Sequence, residues 1–504
     1  MTLNMTRICG TERVCLGSPL QGSASAGLGG SPWALPRAVL VRPFGPQMYK
    51  LQSQIFDLRQ RTGILAATRK SGILWTLERK GPDWQGSRGV RMKAAYLGKV
   101  IEYSNPMRSL DESLKDWYVD RPENPHEEIK VLLLNDPTPL KILFSGHIGS
   151  GKSSALNCLT RDAEIRDRFF IVQFSVERDL NIFDLTYSDL LLAIGKRLFE
   201  EADRAGLELD VKLLADLEKW TAEVSVVKNR EEGADVTLKA KISAWFLSAV
   251  GTLKTGYSEN KEFRQKFEPR VPELVTFINR VIHAIQTHRQ GGDKKVLMVI
   301  EDLDKPPVDV SMDLFMTKGP VLVQPECKII FTVPTSVLYS GQIKVVQQNF
   351  PMQYVLPNFK IRDQSGDKSD TAWNCMREIV LRRMDVQLIA NDGLDYAVEM
   401  SGGVTRELIR IIQAAALRAV VTKANSIQRA HVDHAVVKFR GEYNNQLTRQ
   451  ESLEILREVH KTRQLRSKDE KPMLDLMHNL MILQYPNGPG WYEVNPIVRQ
   501  LIGI

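Results

Sequence analysis

The amino-acid sequence predicts an α/β protein, in which a parallel sheet with helices on both faces precedes a helical lid and a C-terminal winged-helix-like domain. Three observations predict the sheet. A glycine-rich loop follows a short apolar run at Lys141–Phe144, and a second apolar run, Val296–Ile300, ends in acidic residues. A third runs from Cys327 to Pro334. Continuous apolar runs of this length are typical of strands buried on both faces.

The first segment, residues 1–91, differs in composition from the rest. Residues 1–46 are rich in Gly, Ser and Pro, and residues 1–91 carry 13 Lys and Arg against 4 Asp and Glu. No helical or strand periodicity persists through residues 1–46, so we expect disorder there. The alternative is that residues 1–91 are a non-native extension, because an ordinary globular composition begins at Met92.

Charge, cysteine content and hydropathy exclude several classes of protein. Residues 92–504 carry 55 basic and 56 acidic residues, so the net charge of +8 comes from the N-terminal segment and does not indicate nucleic-acid binding. Five widely spaced cysteines without a C-x-x-C pattern predict neither disulfides nor a zinc site, and favour a reducing, cytoplasmic location. No apolar window is long enough for a membrane-spanning helix.

The glycine-rich loop has the spacing G-x-x-x-x-G-K-[ST], which is that of a phosphate-binding loop, or P-loop. Its glycines let backbone N–H groups turn inward around phosphates, Lys152 brings a positive charge, and the Ser153 hydroxyl can bind Mg²⁺. A helix beginning near Lys152 directs its positive end at the anion. The predicted nucleotide contacts are Gly146, His147, Ile148, Gly149, Ser150, Gly151, Lys152, Ser153 and Ser154.

The acidic run after the second strand supplies the other half of the predicted site. Glu301 and Asp302 follow Ile300 directly, and Asp304 lies two residues further on. A P-loop enzyme needs carboxylates here, one for Mg²⁺ and one to polarise the attacking water, so we assign Glu301, Asp302 and Ser153 to the metal. Thr332 lies near the end of the third strand, where it can orient the water or contact the γ-phosphate; a structural strand-end Thr is the alternative.

The order of segments predicts four regions. The P-loop core spans 92–360, with a helical insertion at about 205–290 and an exposed arm between Lys228 and Lys241. The lid spans 361–425. It contains the sequence SGGVTRELIR, in which Thr405 is a candidate N-cap and Arg406 lies in the first helical turn, positioned to reach the nucleotide. Arg410, one turn later, is the competing candidate.

Residues 426–504 form the winged-helix-like region. Helices are predicted at Ser426–Asn445, Arg449–Arg463 and Lys471–Leu483, and turn signals at 485–490 predict a hairpin after them. The helix that would read DNA, KPMLDLMHNLMILQY, has one Lys, no Arg and a large apolar surface. Base recognition uses Arg, Asn or Gln, so we expect a protein contact here instead.

From about residue 110 onward, these motifs resemble the AAA+-type P-loop ATPases of the STAND/KAP-related and origin-recognition-like branch. The resemblance rests on GHIGSGKS, VLMVIEDLDK, IIFTVP, SGGVTRELIR and the winged-helix-like tail. It implies ATP and Mg²⁺ as ligands and a conformational switch. Lys152 and Ser153 match the nucleotide-binding motif, Thr332 matches sensor 1, and Arg406 matches sensor 2.

Two departures from the family pattern shape the expected function. Glu301 stands where the family has Asp, which leaves open which acid binds Mg²⁺. No arginine occurs between Arg289 and Arg362, where ring-forming relatives place an arginine finger worth about 10³–10⁵ in rate. We therefore expect a slowly hydrolysing switch ATPase that couples nucleotide state to an unidentified protein partner. The alternatives are a DNA-associated ATPase of the loader or transposition-helper type, and an ATP-binding module with negligible turnover.

Overall fold

The structure is a computed structural model that describes residues 93–110, 112–224, 237–255, 257–288, 294–447, 449–466, 471–485 and 490–504. The predictions for residues 1–91, and most of the expected arm between Lys228 and Lys241, lie outside the described residues. No described helix has the length and apolar composition that a membrane span requires.

Five parallel strands form the central sheet in the order β2–β3–β4–β1–β5. The strands are β1 (Lys141–Ser145), β2 (Phe169–Ser175), β3 (Lys295–Glu301), β4 (Lys328–Val333) and β5 (Met352–Val355). The predicted parallel sheet is confirmed. Strand β4 separates β1 from β3, so the P-loop and the acidic run leave the same edge of the sheet one strand apart.

Helices cover both faces of this sheet, as predicted. The side chains of Ile142 and Phe144 pack against one helical layer, whereas Leu143 belongs to the cluster on the opposite face. The helices before β3 are α1 (Leu97–Tyr103), α2 (His126–Asn135), α3 (Lys152–Arg161), α4 (Ala163–Arg168), α5 (Val176–Asp179), α6 (Tyr187–Arg204), α7 (Val211–Val224), α8 (Leu238–Thr255), α9 (Tyr257–Phe267) and α10 (Val271–Thr287). Between β3 and β5 lie a π-helical turn (Asp313–Thr317) and four short α-helices, namely α11 (Val308–Met312), α12 (Gly319–Leu322), α13 (Thr335–Leu338) and α14 (Ile343–Asn349).

Helices α7 to α10 form the helical insertion between α6 and β3. They pack around Trp220, whose ring centroid lies 5.3 Å from that of Trp245, 6.0 Å from that of Phe267 and 5.8 Å from that of Phe277. Aromatic rings at these distances in edge-to-face contact bury large apolar areas. These residues belong to the same apolar cluster as one face of the sheet, so the insertion is packed onto the sheet through a shared core.

The lid and the C-terminal unit (residues 426–504) share one apolar core, to which α1 also contributes. The lid contains α15 (Asp370–Leu381), α16 (Asn391–Met400) and α17 (Thr405–Val421). The C-terminal unit contains α18 (Arg429–Gln446), α19 (Gln450–Thr462), α20 (Lys471–His478), β6 (Ile482–Tyr485), β7 (Trp491–Val494) and α21 (Pro496–Ile502). Three helices and an antiparallel hairpin occur in the predicted order.

Two details of the C-terminal unit differ from the sequence prediction. The helix expected at Lys471–Leu483 ends at His478, because Leu480 has a φ angle of 60° and the chain then continues as β6. The terminal helix α21 was not predicted; Asn495 caps it by accepting a hydrogen bond from the backbone of Ile497.

Candidate functional site

The P-loop connects Ser145, at the end of β1, to Lys152, the first residue of α3. Gly149 and Gly151 have φ angles of 84° and 105°, in the left-handed region that favours glycine. At Gly149 an added Cβ atom would lie only 2.5 Å from the Cβ atom of Arg406. The loop therefore requires glycine here, because the lid is in direct contact with it.

The ammonium group of Lys152 is buried and is bonded to three groups of the site. Its Nζ atom donates to the carbonyl oxygens of Gly146 and His147 at 2.7 and 3.0 Å and pairs with Asp304 Oδ2 at 2.8 Å. Burial alone would raise the pKa of Asp304, but the ion pair outweighs burial and holds this pKa below its usual value. Asp304 is thus the anion with which phosphates would compete for Lys152, a role that no sequence pattern marks.

Glu301 ends β3 beside the first turn of α3. Its carboxylate accepts hydrogen bonds from the Ser153 hydroxyl and, at 2.7 Å, from Gln173 Nε2. Burial raises the pKa of Glu301, so a cation at this carboxylate would relieve an unfavourable desolvation. Hydroxyl and carboxylate oxygens are ligands that Mg²⁺ takes together with nucleotide phosphates. The residues present therefore fit Mg²⁺, and the structure brings Ser153 and Glu301 together.

Asp302 occupies a different position from Glu301. Its carboxylate accepts a hydrogen bond from Ser175 Oγ at 2.5 Å and pairs with Lys305 Nζ at 2.9 Å. Its φ angle of 67° is uncommon for a residue with a side chain, and such conformations concentrate at functional sites. The contacts thus separate the two acids: Glu301 is bonded to the P-loop serine, whereas Asp302 is bonded to the end of β2.

Thr332, the expected sensor, uses its hydroxyl to tie β4 to the acidic run. Oγ1 donates to the carbonyl oxygen of Ile300 at 3.2 Å and accepts from the backbone N–H of Leu303 at 3.1 Å. Thr332 therefore holds the backbone around the acids in place. It also lines the cavity described below, so a role as a γ-phosphate sensor stays a prediction.

The lid contributes Arg406. The backbone N–H of Arg406 donates to the carbonyl oxygen of Gly149 at 3.0 Å. Arg410, the competing candidate, is bonded instead to Glu407 and Glu442 within the lid and the C-terminal unit. The prediction that Thr405 is the N-cap is wrong: Val404 holds that position, and Thr405 is the first helical residue.

A cavity of about 720 Å³ joins these residues. Among the predicted site residues it is lined by Gly149, Gly151, Lys152, Ser153, Ser154, Glu301, Asp302, Thr332 and Arg406. The P-loop residues Gly146, His147, Ile148 and Ser150 do not line it. The cavity also includes Arg178, which follows β2 and so lies outside the 289–362 stretch considered for an arginine finger.

Four further arginines line the cavity and were missed by sequence reasoning, namely Arg108, Arg121, Arg161 and Arg383. Arg121 donates to the carbonyl oxygens of Ser150 and Pro357, both at 2.6 Å, and its guanidinium stacks on the Phe359 ring at 4.4 Å. Burial lowers the pKa of Arg121 and that of Arg383 to about 10. Neither has a carboxylate partner within the described ranges, so a bound phosphate would supply the missing anion.

His147 connects the P-loop to the C-terminal unit. Its Nε2 atom accepts a hydrogen bond from the backbone N–H of Gln484 at 2.8 Å, and the ring is also hydrogen-bonded to the backbone of Met477. Burial, with a smaller contribution from Lys152, lowers the pKa of His147 to about 3, so the ring is neutral. With Nε2 accepting, the other ring nitrogen donates to Met477. Both nitrogens are thus bonded to one segment of the C-terminal unit.

The C-terminal unit also approaches the ion pair and the lid. His478 ends α20 near Asp304 and Lys152, and burial is the main cause of its lowered pKa. The Tyr485 hydroxyl donates a hydrogen bond to the carbonyl oxygen of Gly402, three residues before helix α17 begins. The P-loop, the lid and the C-terminal unit therefore meet at one place.

The similarity of this chain to known proteins lies in its structure and not in its sequence. No family model matches the chain, and no curated protein matches it. The structure is similar to Cdc6p from Pyrobaculum aerophilum, at 11% identity and a TM-score of 0.38 over 80% of this chain and 97% of that one. The structure is also similar to the RuvB Holliday junction branch migration motor of Thermotoga maritima, at 12% identity and a TM-score of 0.35 over 79% of this chain and 99% of that one. A third similar structure is that of the Aeropyrum pernix ORC1 protein in complex with DNA, at 11% identity and a TM-score of 0.35 over 80% of this chain and 95% of that one.

Superpositions at these TM-scores are loose, so the strand order and the P-loop geometry carry the assignment. The fold is that of a P-loop α/β protein, and membership of the AAA+-type ATPases stays a prediction. The narrower resemblance to the STAND/KAP-related branch stays a prediction.

Proposed function

We propose that the chain is a slowly hydrolysing, magnesium-dependent switch ATPase, in which the nucleotide at the P-loop controls docking of the C-terminal unit. The contact between His147 and Gln484 carries this proposal. His147 belongs to the nucleotide-binding motif, yet its ring is bonded to a segment 337 residues away. A change in P-loop conformation would therefore reach the C-terminal unit through one side chain.

The site residues divide the work of binding and cleavage. Lys152 and Arg121 would hold the phosphates by charge, and Arg406 would contact them from the lid. Bound Mg²⁺, held by Ser153 and Glu301, would neutralise charge on the phosphates. Asp302 would then accept the proton of the attacking water, because its carboxylate lines the cavity without being bonded to Ser153.

In this proposal ATP hydrolysis is slow because the stretch that would carry an arginine finger contains no arginine. No arginine lies between Arg289 and Arg362. This stretch therefore has no guanidinium group that could donate two parallel hydrogen bonds to a phosphate bound in a neighbouring subunit. Arg178 and Arg406 line the cavity from the same chain. We therefore expect bound nucleotide to be hydrolysed slowly.

The unidentified protein partner would bind the surface that docking covers. Helix α20 buries Met473, Leu474, Leu476 and Met477 in the described structure. Met473, Leu476 and Met477 belong to the core shared with the lid, so they would become exposed if undocking also separated the C-terminal unit from the lid. Contiguous apolar patches of this kind mark protein-contact sites.

A DNA-associated ATPase is the second candidate. Two of the similar solved structures, those of Aeropyrum pernix ORC1 and Drosophila ORC, are in complex with DNA. In this chain α20, the helix expected to read DNA, has its apolar face buried, and Lys471 is its only lysine or arginine. DNA binding would therefore need another surface or an undocked C-terminal unit.

ATP hydrolysis by the full chain, measured as phosphate release with and without duplex DNA, tests the proposal. We expect slow, Mg²⁺-dependent release that DNA leaves unchanged, and no nucleotide binding by Lys152→Ala. Rapid hydrolysis that DNA stimulates, with binding that weakens steeply as salt rises, would favour the second candidate. ATP binding without phosphate release would show that the chain is an ATP-binding module with negligible turnover.

A further inference from the structure

The carboxylate of Glu301 is fixed by an amide side chain on the neighbouring strand. Gln173 lies on β2, two residues before the residue that pairs with Glu301 in the sheet register. Its Nε2 atom donates to Glu301 Oε1 at 2.7 Å and to Asn157 Oδ1 at 2.8 Å, and its Oε1 atom accepts from Thr160 Oγ1 at 2.9 Å. Both donor hydrogens and one acceptor lone pair are therefore used.

These bonds allow only one orientation of the Gln173 amide. If the amide were flipped, its oxygen would face the oxygens of Glu301 and Asn157, and its NH₂ group would take the place of the acceptor for Thr160. The orientation is set by α3, the helix that follows the P-loop, because Asn157 and Thr160 both belong to it. Gln173 thus transmits the position of α3 to the acid at the end of β3.

Helix α3 therefore contacts Glu301 at two points. Ser153 is bonded to the carboxylate directly, and Asn157 is bonded to it through Gln173. Residues 153 and 157 are four apart in the helix, so their side chains lie on the same face. The two contacts come from one helical face.

Glu301 needs such fixing more than an aspartate would. Glutamate has one more rotatable bond than aspartate, and immobilising that bond costs conformational entropy. The carboxylate is also partly buried, so each hydrogen bond to it offsets part of the cost of removing the charge from water. Residues that orient a metal ligand in this way typically change metal affinity by about 10–100-fold when they are replaced.

We propose that Gln173 is a positioning residue that holds the Glu301 carboxylate beside Ser153 in the geometry needed for the nucleotide-bound divalent cation. This inference rests on the proposed function, since it assumes that Glu301 binds the cation. It assigns to Gln173 no contact with the nucleotide and no proton transfer. Its replacement should therefore change cation affinity and leave cation-free nucleotide binding intact.

The test is Mn²⁺ binding to the full chain with bound ADP, measured by electron paramagnetic resonance, for wild type and Gln173→Leu. We expect Gln173→Leu to weaken Mn²⁺ binding about 10-fold. The affinity for ADP in EDTA should stay within about two-fold, a readout that a merely structural role would also change. Gln353→Leu is the matched control, because Gln353 lies on β5 of the same sheet and its side-chain amide donates to the carbonyl oxygen of Phe350, away from the acids.

A second variant isolates the contact with Glu301. In a Glu301→Asp background the shorter acid no longer reaches Gln173, so adding Gln173→Leu should change Mn²⁺ affinity by less than about two-fold. Unchanged Mn²⁺ affinity of the folded single variant, or equal losses in both backgrounds, would overturn the inference while leaving the proposed function intact. If wild type binds ADP but Glu301→Gln binds Mn²⁺ normally, the metal assignment itself fails, and the inference fails with it.

Discussion

His147 Nε2 and the backbone N–H of Gln484 lie 2.8 Å apart and form a buried hydrogen bond between the P-loop and strand β6. The carbonyl oxygen of the same His147 accepts from Lys152 Nζ at 3.0 Å. One residue is therefore bonded both to the C-terminal unit and to the lysine that would bind phosphate. This arrangement gives nucleotide binding a short physical route to domain docking.

Replacing His147 should loosen the C-terminal unit without unfolding the sheet. His147→Leu removes two hydrogen bonds to Gln484 and Met477, each worth about 0.5–1.5 kcal/mol. We expect hydrogen exchange at the Gln484 amide to become roughly ten-fold faster or more, while the amides of β1 keep their protection. His434→Leu, which changes an exposed histidine on α18, is the control; equal effects of both substitutions would contradict the interpretation.

Acidification should weaken the same contact. The pKa of His147 is about 3 in the folded protein, against about 6.5 in an unfolded chain, so between these values the undocked state binds more protons. The stabilisation is complete above about pH 6.5 and is lost as the pH falls; at pH 5 the loss amounts to about 2 kcal/mol. The charged and titratable neighbours, Lys152 and His478, add to the repulsion once the ring is protonated.

The measurement is the protection factor of the Gln484 amide between pH 7 and pH 5. His147→Asn keeps a donor and an acceptor but has no proton to gain, so its protection factor should be smaller and nearly independent of pH. A wild-type protection factor that does not fall with pH would show that His147 is not the titrating group.

Substitutions of Glu301 and Asp302 should affect different steps, namely Mg²⁺ binding and ATP cleavage. Asp302→Asn should keep Mg²⁺-ATP binding and lower kcat by about 10²–10⁴, because the group that accepts the water proton is lost. Glu301→Gln should mainly raise the Mg²⁺ concentration needed for half-maximal activity. Steady-state hydrolysis at varied Mg²⁺ distinguishes them. Normal turnover by Asp302→Asn together with an inactive Glu301→Gln would reverse the two assignments.

Arg121 should contribute to nucleotide affinity at little cost to the fold. Arg121→Leu removes a cation whose pKa is lowered by burial and which has no carboxylate partner within the described ranges. Charge-assisted hydrogen bonds are worth about 1.5–3 kcal/mol, so we expect the Kd for ATP to rise by roughly 10–100-fold. Tm without nucleotide should fall by no more than a few degrees. Arg204→Leu, an exposed arginine on α6, is the control and should leave Kd unchanged.

Sequence reasoning succeeded where the chemistry is local. The P-loop spacing fixes a turn between a strand and a helix, and the apolar run before Glu301 marks a buried strand. Strand β5 was not predicted, because it is a four-residue edge strand with only partly buried side chains. The predicted helix at Lys471–Leu483 was too long, since helical periodicity alone does not reveal the positive φ angle of Leu480.

The residues missed at the site depend on contacts between distant segments. Gln173 is 128 residues from Glu301, and Arg121 is 236 residues from Pro357. Each has an ordinary local context, one inside a buried strand and one in a connecting loop. Their roles arise only when the sheet order and the lid bring the partners together, so no motif spacing could have marked them.

Hydrogen exchange at the Gln484 amide, with and without a non-hydrolysable Mg²⁺-ATP analogue, tests the central claim most directly. Phosphates would draw Lys152 away from the carbonyl oxygen of His147 and so alter the P-loop that holds the histidine ring in place. The account predicts at least roughly ten-fold faster exchange with the analogue, and no change for Lys152→Ala. Exchange that is equal within two-fold in the free and saturated wild-type protein would contradict it.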